Sequence, residues 1–382
     1  MDSLDELYVT GPPIASLGFD RDYARQRREL PTYPFQRKRY WAKSAEQGAQ
    51  AGVSTVRGGR LLHPLLGRRV AAAVADQVFE SQLAANRPPI LADHKIQGVV
   101  VMPGAAYIET AVAASAAAYG KPWDVCEVAL VEPLLLDKRP KTVQTILTPE
   151  GDKAAGFRIV SLDGDGSDGE PSFTTHAVGR LEAPAAGTPQ ALDVAAQRAR
   201  FTDPPFDDAW RAEALRKSGL EPGPSFCWAK LHWCHEQDAL AELRESRDSD
   251  HAAGYHVHPG LLDSAFQLLG AALPGAGTGI DAYVPMTLQR LRLHDRPEKP
   301  GWFLASITSL QRDFATGNIV LTDPEGRVLM EVEGLRLRRV PRDWLARLVA
   351  EPVQDWTYEL AWQKQPADVD ATDVDGQRTL RG

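Results

Sequence analysis

Cysteine is scarce in this sequence. The three present, Cys126, Cys227 and Cys234, are an odd number with no regular spacing. That excludes a disulfide framework and fits a reducing, cytoplasmic setting. Long apolar runs are missing: none approaches the ~20 residues of a membrane span. The first residues, Met1-Asp2-Ser3-Leu4-Asp5-Glu6, are acidic and lack the apolar stretch of a signal peptide. Basic excess is missing too, with 43 Lys and Arg against 51 Asp and Glu and a net charge of −8. The basic residues are scattered apart from the short run Arg37-Lys38-Arg39, which excludes a nucleic-acid footprint. Paired cysteines do not accompany His232, His235, His251, His256 and His258, and the spacing of these histidines is irregular, which argues against zinc. The acidic turn from Asp163 to Gly169 has Thr174 where a calcium loop needs a closing Glu, so it reads as a solvated hairpin tip. Gly98 and Gly104 lack the βαβ context of a dinucleotide fingerprint.

What remains is a chain of 382 residues with ordinary globular composition, 43% hydrophobic and 25% charged. Residues 1–60 read as a linker. Pro12, Pro13, Pro31 and Pro34 break them, 47–59 are rich in Gly, Ala and Ser, and the string Leu30–Trp41 is aromatic and basic. A first folding unit is expected over 61–183 and a second over 201–345, joined by an Ala/Gly/Pro-rich stretch at 184–200. Residues 346–382 read as a following linker and tail, with a strand-like string at Trp356–Gln363.

Both units show the same order of elements. In the first, Met102–Tyr119 is almost continuously small and apolar, which predicts a buried helix. Strands are expected at 70–83, 125–136, 142–147, 157–162 and 173–181. In the second, a loop-rich stretch leads to an apolar helix over 261–273, followed by strands at 287–294, 301–310, 318–323 and 328–337. The fold class is α+β, with one long central helix wrapped by an antiparallel sheet, used twice.

Each unit carries one titratable residue near an apolar helix. His94 is followed by Gly98, where a side chain would block close approach of a ligand. Pro103 and Gly104 then open the first helix, whose N-terminus offers a positive dipole end to developing negative charge. Asp263 lies in Leu261-Leu262-Asp263-Ser264-Ala265-Phe266. Desolvation there should raise its pKa and keep it protonated. Gln267, one turn on, can hydrogen-bond it. A helix-capping Asp in the first turn is the alternative reading. His258 stands beside Pro259, where it would orient the Asp263 helix. Together, an imidazole base and a carboxylic acid are what elimination of water from a β-hydroxy thioester needs, with helix-end N–H groups polarising the carbonyl.

At these residues the chain resembles the dehydratase domain of a modular type I polyketide synthase, over about residues 60–340. His63-Pro64-Leu65-Leu66-Gly67 matches the start of that domain. His94, Gly98 and Pro103 match its HxxxGxxxxP motif, and Asp263 and Gln267 match its DxxxQ motif. The Leu30–Trp41 string resembles the linker leaving a preceding acyltransferase, and Trp356–Gln363 resembles the start of a ketoreductase region. The resemblance implies a double-hotdog fold, His94 as proton acceptor and Asp263 as proton donor. It also implies no bound cofactor, a substrate tethered by phosphopantetheine to an acyl carrier protein, and a homodimer.

Two places depart from the family pattern. Tyr-Gly-Pro-x-Phe is here Pro222-Gly223-Pro224-Ser225-Phe226, without the tyrosine hydroxyl. Leu-Pro-Phe-x-Trp is here Val284-Pro285-Met286-Thr287-Leu288, without either aromatic. The sequence therefore predicts a pocket reshaped at both places. Relatives exist that dehydrate and then add a distal hydroxyl to the new double bond, closing a pyran ring. A folded-back substrate would need such room. A domain that has become an inactive dimeric scaffold is the third expectation, and the intact His94 and Asp263 argue against it.

Overall fold

The computed structural model describes residues 60–163, 172–185, 187–244, 254–274, 281–341 and 343–344. The Leu30–Trp41 string, the turn after Asp163, His251 and the Trp356–Gln363 string lie outside the described residues.

The first half runs β1 (Arg68–Val70), β2 (Gln77–Leu83), β3 (His94–Ile96), β4 (Val99–Val101), α1 (Gly104–Tyr119), β5 (Asp124–Leu130), β6 (Leu135–Leu136), β7 (Lys141–Pro149), β8 (Ala154–Asp163) and β9 (Ser172–Glu182). After the short helix α2 (Val194–Ala199), the second half runs β10 (Phe206–Asp207), α3 (Asp208–Ser218), β11 (Leu220–Pro222), β12 (Ala229–His235) and β13 (Asp238–Leu243). It continues through α4 (Pro259–Ala271), β14 (Ala282–Leu293), β15 (Trp302–Leu310), β16 (Phe314–Thr322) and β17 (Val328–Val340).

Thirteen strands form one antiparallel sheet in the order β1-β2-β7-β8-β9-β5-β14-β17-β16-β15-β13-β12-β10. Strands of the first half fill one side of this order and strands of the second half the other. The halves meet where β5 pairs with β14, Val125 opposite Leu291 and Val128 opposite Leu288. Each half wraps a central helix, so the fold is the expected double hotdog. A separate four-stranded sheet, β11-β3-β4-β6, takes β11 from the second half and the rest from the first.

Helix α1 is buried from Ala105 to Ser115. Alanine suits it because a helix enclosed on every side needs small side chains so that its neighbours can close in. It ends at Gly120, whose φ of 79° is the left-handed cap that glycine adopts without strain. Its buried charged residue, Glu109, accepts the backbone N–H groups of His256 at 2.6 Å and Val257 at 2.9 Å, and contacts His63 Nε2 at 3.1 Å. These bonds tie α1 to the approach to α4. The two helices pack on each other, and one apolar core runs through both halves.

Several elements differ from expectation. The expected strand at 70–83 is two strands, and the one at 125–136 is broken after Leu130. The loop-rich stretch after Phe201 holds a helix, α3, started by Asp207 accepting from Trp210 N at 2.9 Å. His94 is not at a helix start. It begins a short strand ten residues before α1, inside a two-residue hairpin.

Candidate active site

The hairpin is made by its turn. Gln97 has φ of 51° and Gly98 φ of 79°, the pair of positive values that lets a two-residue turn match strand twist. Gly98 thus meets a backbone demand; a Cβ there would meet no protein atom within 4 Å, and Gly98 does not line the cavity that His94 faces. The hairpin brings His94 beside Val101, whose carbonyl oxygen lies 2.8 Å from His94 Nδ1. A carbonyl only accepts, so Nδ1 is the donor in this contact, and whenever the ring is neutral the lone pair lies on Nε2. The Phe226 ring sits 5.3 Å from the imidazole, tilted by 50°.

Asp263 is the fifth residue of α4, beyond the first turn, so the capping alternative falls away. The cap is His258, whose Nδ1 accepts from Gly260 N at 3.1 Å. Pro259 occupies the first helical position, where its missing N–H leaves no bond unmade. Asp263 is only 8% exposed. Burial pushes its carboxyl above the usual carboxylate range, opposed by the charge His94 carries when protonated, a hydrogen bond from Gln267 and the charge of Arg211. Gln267 Nε2 donates to Asp263 Oδ2 at 2.7 Å.

His94 and Asp263 line one cavity of about 790 Å³, within the range of a small-molecule site. Gly104, Pro222 and Gln267 line it with them, as do Val284, Pro285 and Met286. Gly104 has little room for a Cβ, which would lie 2.8 Å from Leu130 Cδ1 and 3.0 Å from Pro285 Cγ. It also puts the N-terminus of α1, which no side chain caps, at the cavity wall.

Other expected positions are placed elsewhere. Pro103 caps α1 from outside, in extended backbone, instead of opening its first turn. Gly223 is pressed against Asp93, and Pro224 and Phe226 form a single 3-10 turn behind His94. His258 acts from the helix end. Leu288 is 2% exposed and packs in the core against β5. The missing aromatic there changes the core, whereas Met286 changes the cavity.

Two residues of consequence went unnoticed in the sequence. Arg211 on α3 is 7% exposed and lines the cavity; a lone arginine in a charged helix gives no signal. Asp93 precedes His94, and only that adjacency marks it. Among the described residues, no group of three or more His, Cys, Asp or Glu is placed to hold a metal ion, and no helix is long and apolar enough to cross a membrane.

Comparison with known proteins places this architecture. Two family profiles match, "Polyketide synthase dehydratase domain" over residues 63–162 and "Polyketide synthase dehydratase N-terminal domain" over residues 189–347. Polyketide synthase GfsB of Streptomyces halstedii is 32% identical over 83% of this chain. A phenolphthiocerol/phthiocerol polyketide synthase of Mycobacterium tuberculosis is 27% identical over 93%. The chain spans 6% and 19% of the length of these two relatives. The solved dehydratase domain from the CurF module of curacin polyketide synthase superimposes with a TM-score of 0.66 at 28% identity, over 73% of this chain and 99% of that one. The CurK dehydratase, solved as a His-to-Phe inactive mutant, gives 0.66 at 27% identity over 74% and 99%. Its Asp-to-Asn inactive mutant gives 0.65 at 27% identity with the same coverage.

Proposed function

This chain belongs to the polyketide synthase dehydratase family, and from that membership we propose that His94 and Asp263 eliminate water from a β-hydroxyacyl thioester. The observation that carries the reading is that a histidine with its Nε2 lone pair kept and a buried carboxylic acid line the same cavity. Nε2 of His94 takes the proton from the carbon α to the thioester. Asp263 gives its proton to the β-hydroxyl, which leaves as water, and the α,β double bond forms. Because Gln267 donates to Oδ2, the transferable proton belongs on Oδ1. Backbone N–H groups at the N-terminus of α1 face the charge that gathers on the thioester oxygen. Afterwards His94 holds the extra proton and Asp263 lacks one, and transfer between them resets the pair. The inactive His and Asp mutants of the CurK dehydratase point the same way.

The substrate would arrive on the phosphopantetheine of an acyl carrier protein, with acyltransferase and ketoreductase domains as neighbours and a second copy of the chain as partner. The test is a β-hydroxyacyl thioester of pantetheine, with products followed by mass and chromatography. The alkene thioester is expected. His94→Ala and Asp263→Asn should each lower kcat by roughly 10²–10⁴-fold. Full activity in His94→Ala would remove the histidine from the chemistry. Absence of water loss in the parent would leave the scaffold reading.

A second reading adds ring closure by a distal hydroxyl. What favours it is room: about 790 Å³, with Pro222 and Met286 on the wall where the family pattern has tyrosine and phenylalanine. A thioester carrying a distal hydroxyl should then yield a cyclic ether, and a linear alkene alone would reject it.

A further inference from the structure

The base and the acid come from different halves of the chain, and one loop touches the neighbours of both. Strand β11 pairs Pro222 opposite His94. The loop that follows closes on Asp93. Gly223 N donates to the Asp93 carbonyl at 2.6 Å. Ser225 gives Asp93 Oδ2 two bonds, from its backbone N–H at 3.0 Å and its hydroxyl at 2.6 Å. A Cβ on Gly223 would lie 2.6 Å from Asp93 Cγ, so the loop cannot come this near with any other residue there.

The other side of the loop closes on α4. A Cβ on Gly260 would lie 1.8 Å from the Ser225 carbonyl oxygen, so the helix start is set against the loop backbone. Ser264, the residue after Asp263, donates its hydroxyl to the Phe226 carbonyl at 2.8 Å and accepts from Trp228 N at 3.3 Å. Trp228 Nε1 in turn donates to the Ser225 carbonyl at 2.9 Å. The residue before His94 and the residue after Asp263 are thus both bonded to one stretch of six residues, 223–228.

We propose that Asp93, through its bonds to Gly223 and Ser225, is a positioning residue that sets the separation of His94 and Asp263. The proposal rests on the base–acid reading above. Two hydrogen bonds converging on one carboxylate oxygen are of the stronger kind, and they act on the residue next to the base. If they are lost, the small sheet can move relative to α4. A displacement near 1 Å at a reacting pair costs on the order of 10²-fold in rate.

The experiment compares the full chain with Asp93→Asn, Ser225→Ala, Ser225→Thr and His94→Ala, on the pantetheine thioester, with a melting curve for each. Asp93→Asn and Ser225→Ala should fold, keep KM within about twofold, and lose on the order of 10- to 100-fold in kcat. Ser225→Thr keeps the hydroxyl and should restore most of the activity. The split between kcat and KM and the rescue by Ser225→Thr are readouts that a loss of stability alone would not move. Parent-like kcat in folded Asp93→Asn and Ser225→Ala, with His94→Ala dead, would overturn the positioning role and leave the base–acid reading standing. So would a loss of kcat that Ser225→Thr shares in full. Equal activity of parent and His94→Ala would instead overturn the reading beneath it.

Discussion

At the scale of single residues, Asp263 shows what a working acid asks of the fold. It sits 8% exposed among leucine, alanine and phenylalanine, and burial raises its pKa more than His94, Gln267 and Arg211 lower it. The folded state therefore holds this proton more tightly than the unfolded chain, where the carboxyl titrates near about 4. As pH climbs from that value through the raised one, the unfolded state sheds its proton first and stability falls. Asp263→Asn cannot ionise and still accepts from Gln267, so it should melt higher than the parent at neutral pH. The advantage should shrink to nothing as pH is lowered toward about 4. Melting curves over a pH series check it, and a difference that stays flat with pH would refute the account. The acid was legible in the sequence because it stands out against apolar neighbours, and the base because Gly98 and Pro103 follow it at motif spacing. Asp93, Arg211 and the loop at 223–228 were not, because their roles rest on contacts between residues about 35 to 130 positions apart, which composition does not encode.

At the scale of elements, the two central helices were legible and the base-bearing hairpin was not. Alanine-rich stretches such as Ala105–Ala118 leave a helix few alternatives, whereas β3 and β4 are three residues each. Gln-Gly is also a weaker turn signal than Asn-Gly. The hairpin nevertheless decides where Nε2 of His94 points, through Val101. The two accounts of Gly98 separate cleanly in one variant. In Gly98→Ala the new methyl meets nothing, so the whole effect comes from φ of 79°, at a cost of about 1–2 kcal/mol. The melting temperature should drop while KM for the thioester stays put. A raised KM with unchanged stability would return Gly98 to the ligand-facing role that its place in the motif suggested. Helix α3 escaped notice for a different reason. Its ends carry capping residues, Asp207 and Gly219, but Pro204 and Pro205 precede it and its charged residues do not gather on one face, so periodicity does not mark it out.

For the whole molecule, the doubling of a helix-and-sheet unit was legible from element order, but the joining of two sheets into one was not. The join depends on β5 finding β14 about 160 residues later, and on one side chain across it. Arg290 of β14 reaches Asp124 at 2.9 Å and Glu182 at 2.6 Å, carboxylates at the ends of β5 and β9. Asp124 is buried at 5% exposure, and burial raises its pKa against the pull of Arg290 and Arg292. Arg290→Met keeps the apolar stem and removes the fork, leaving Asp124 with Arg292 at 3.6 Å. The loss should be about 2–3 kcal/mol at neutral pH, below the full cost of orphaning a buried charge because one cation remains. Protonating Asp124 relieves that strandedness, so the gap between variant and parent should narrow as pH falls. Urea unfolding at two pH values measures both quantities. Because one core passes through α1 and α4 without a break, both proteins should unfold in a single transition. Two separate transitions in the parent would mean that the halves hold themselves together alone and that the seam only aligns them. A loss that is the same at both pH values would mean that Arg290 contributes packing, not charge.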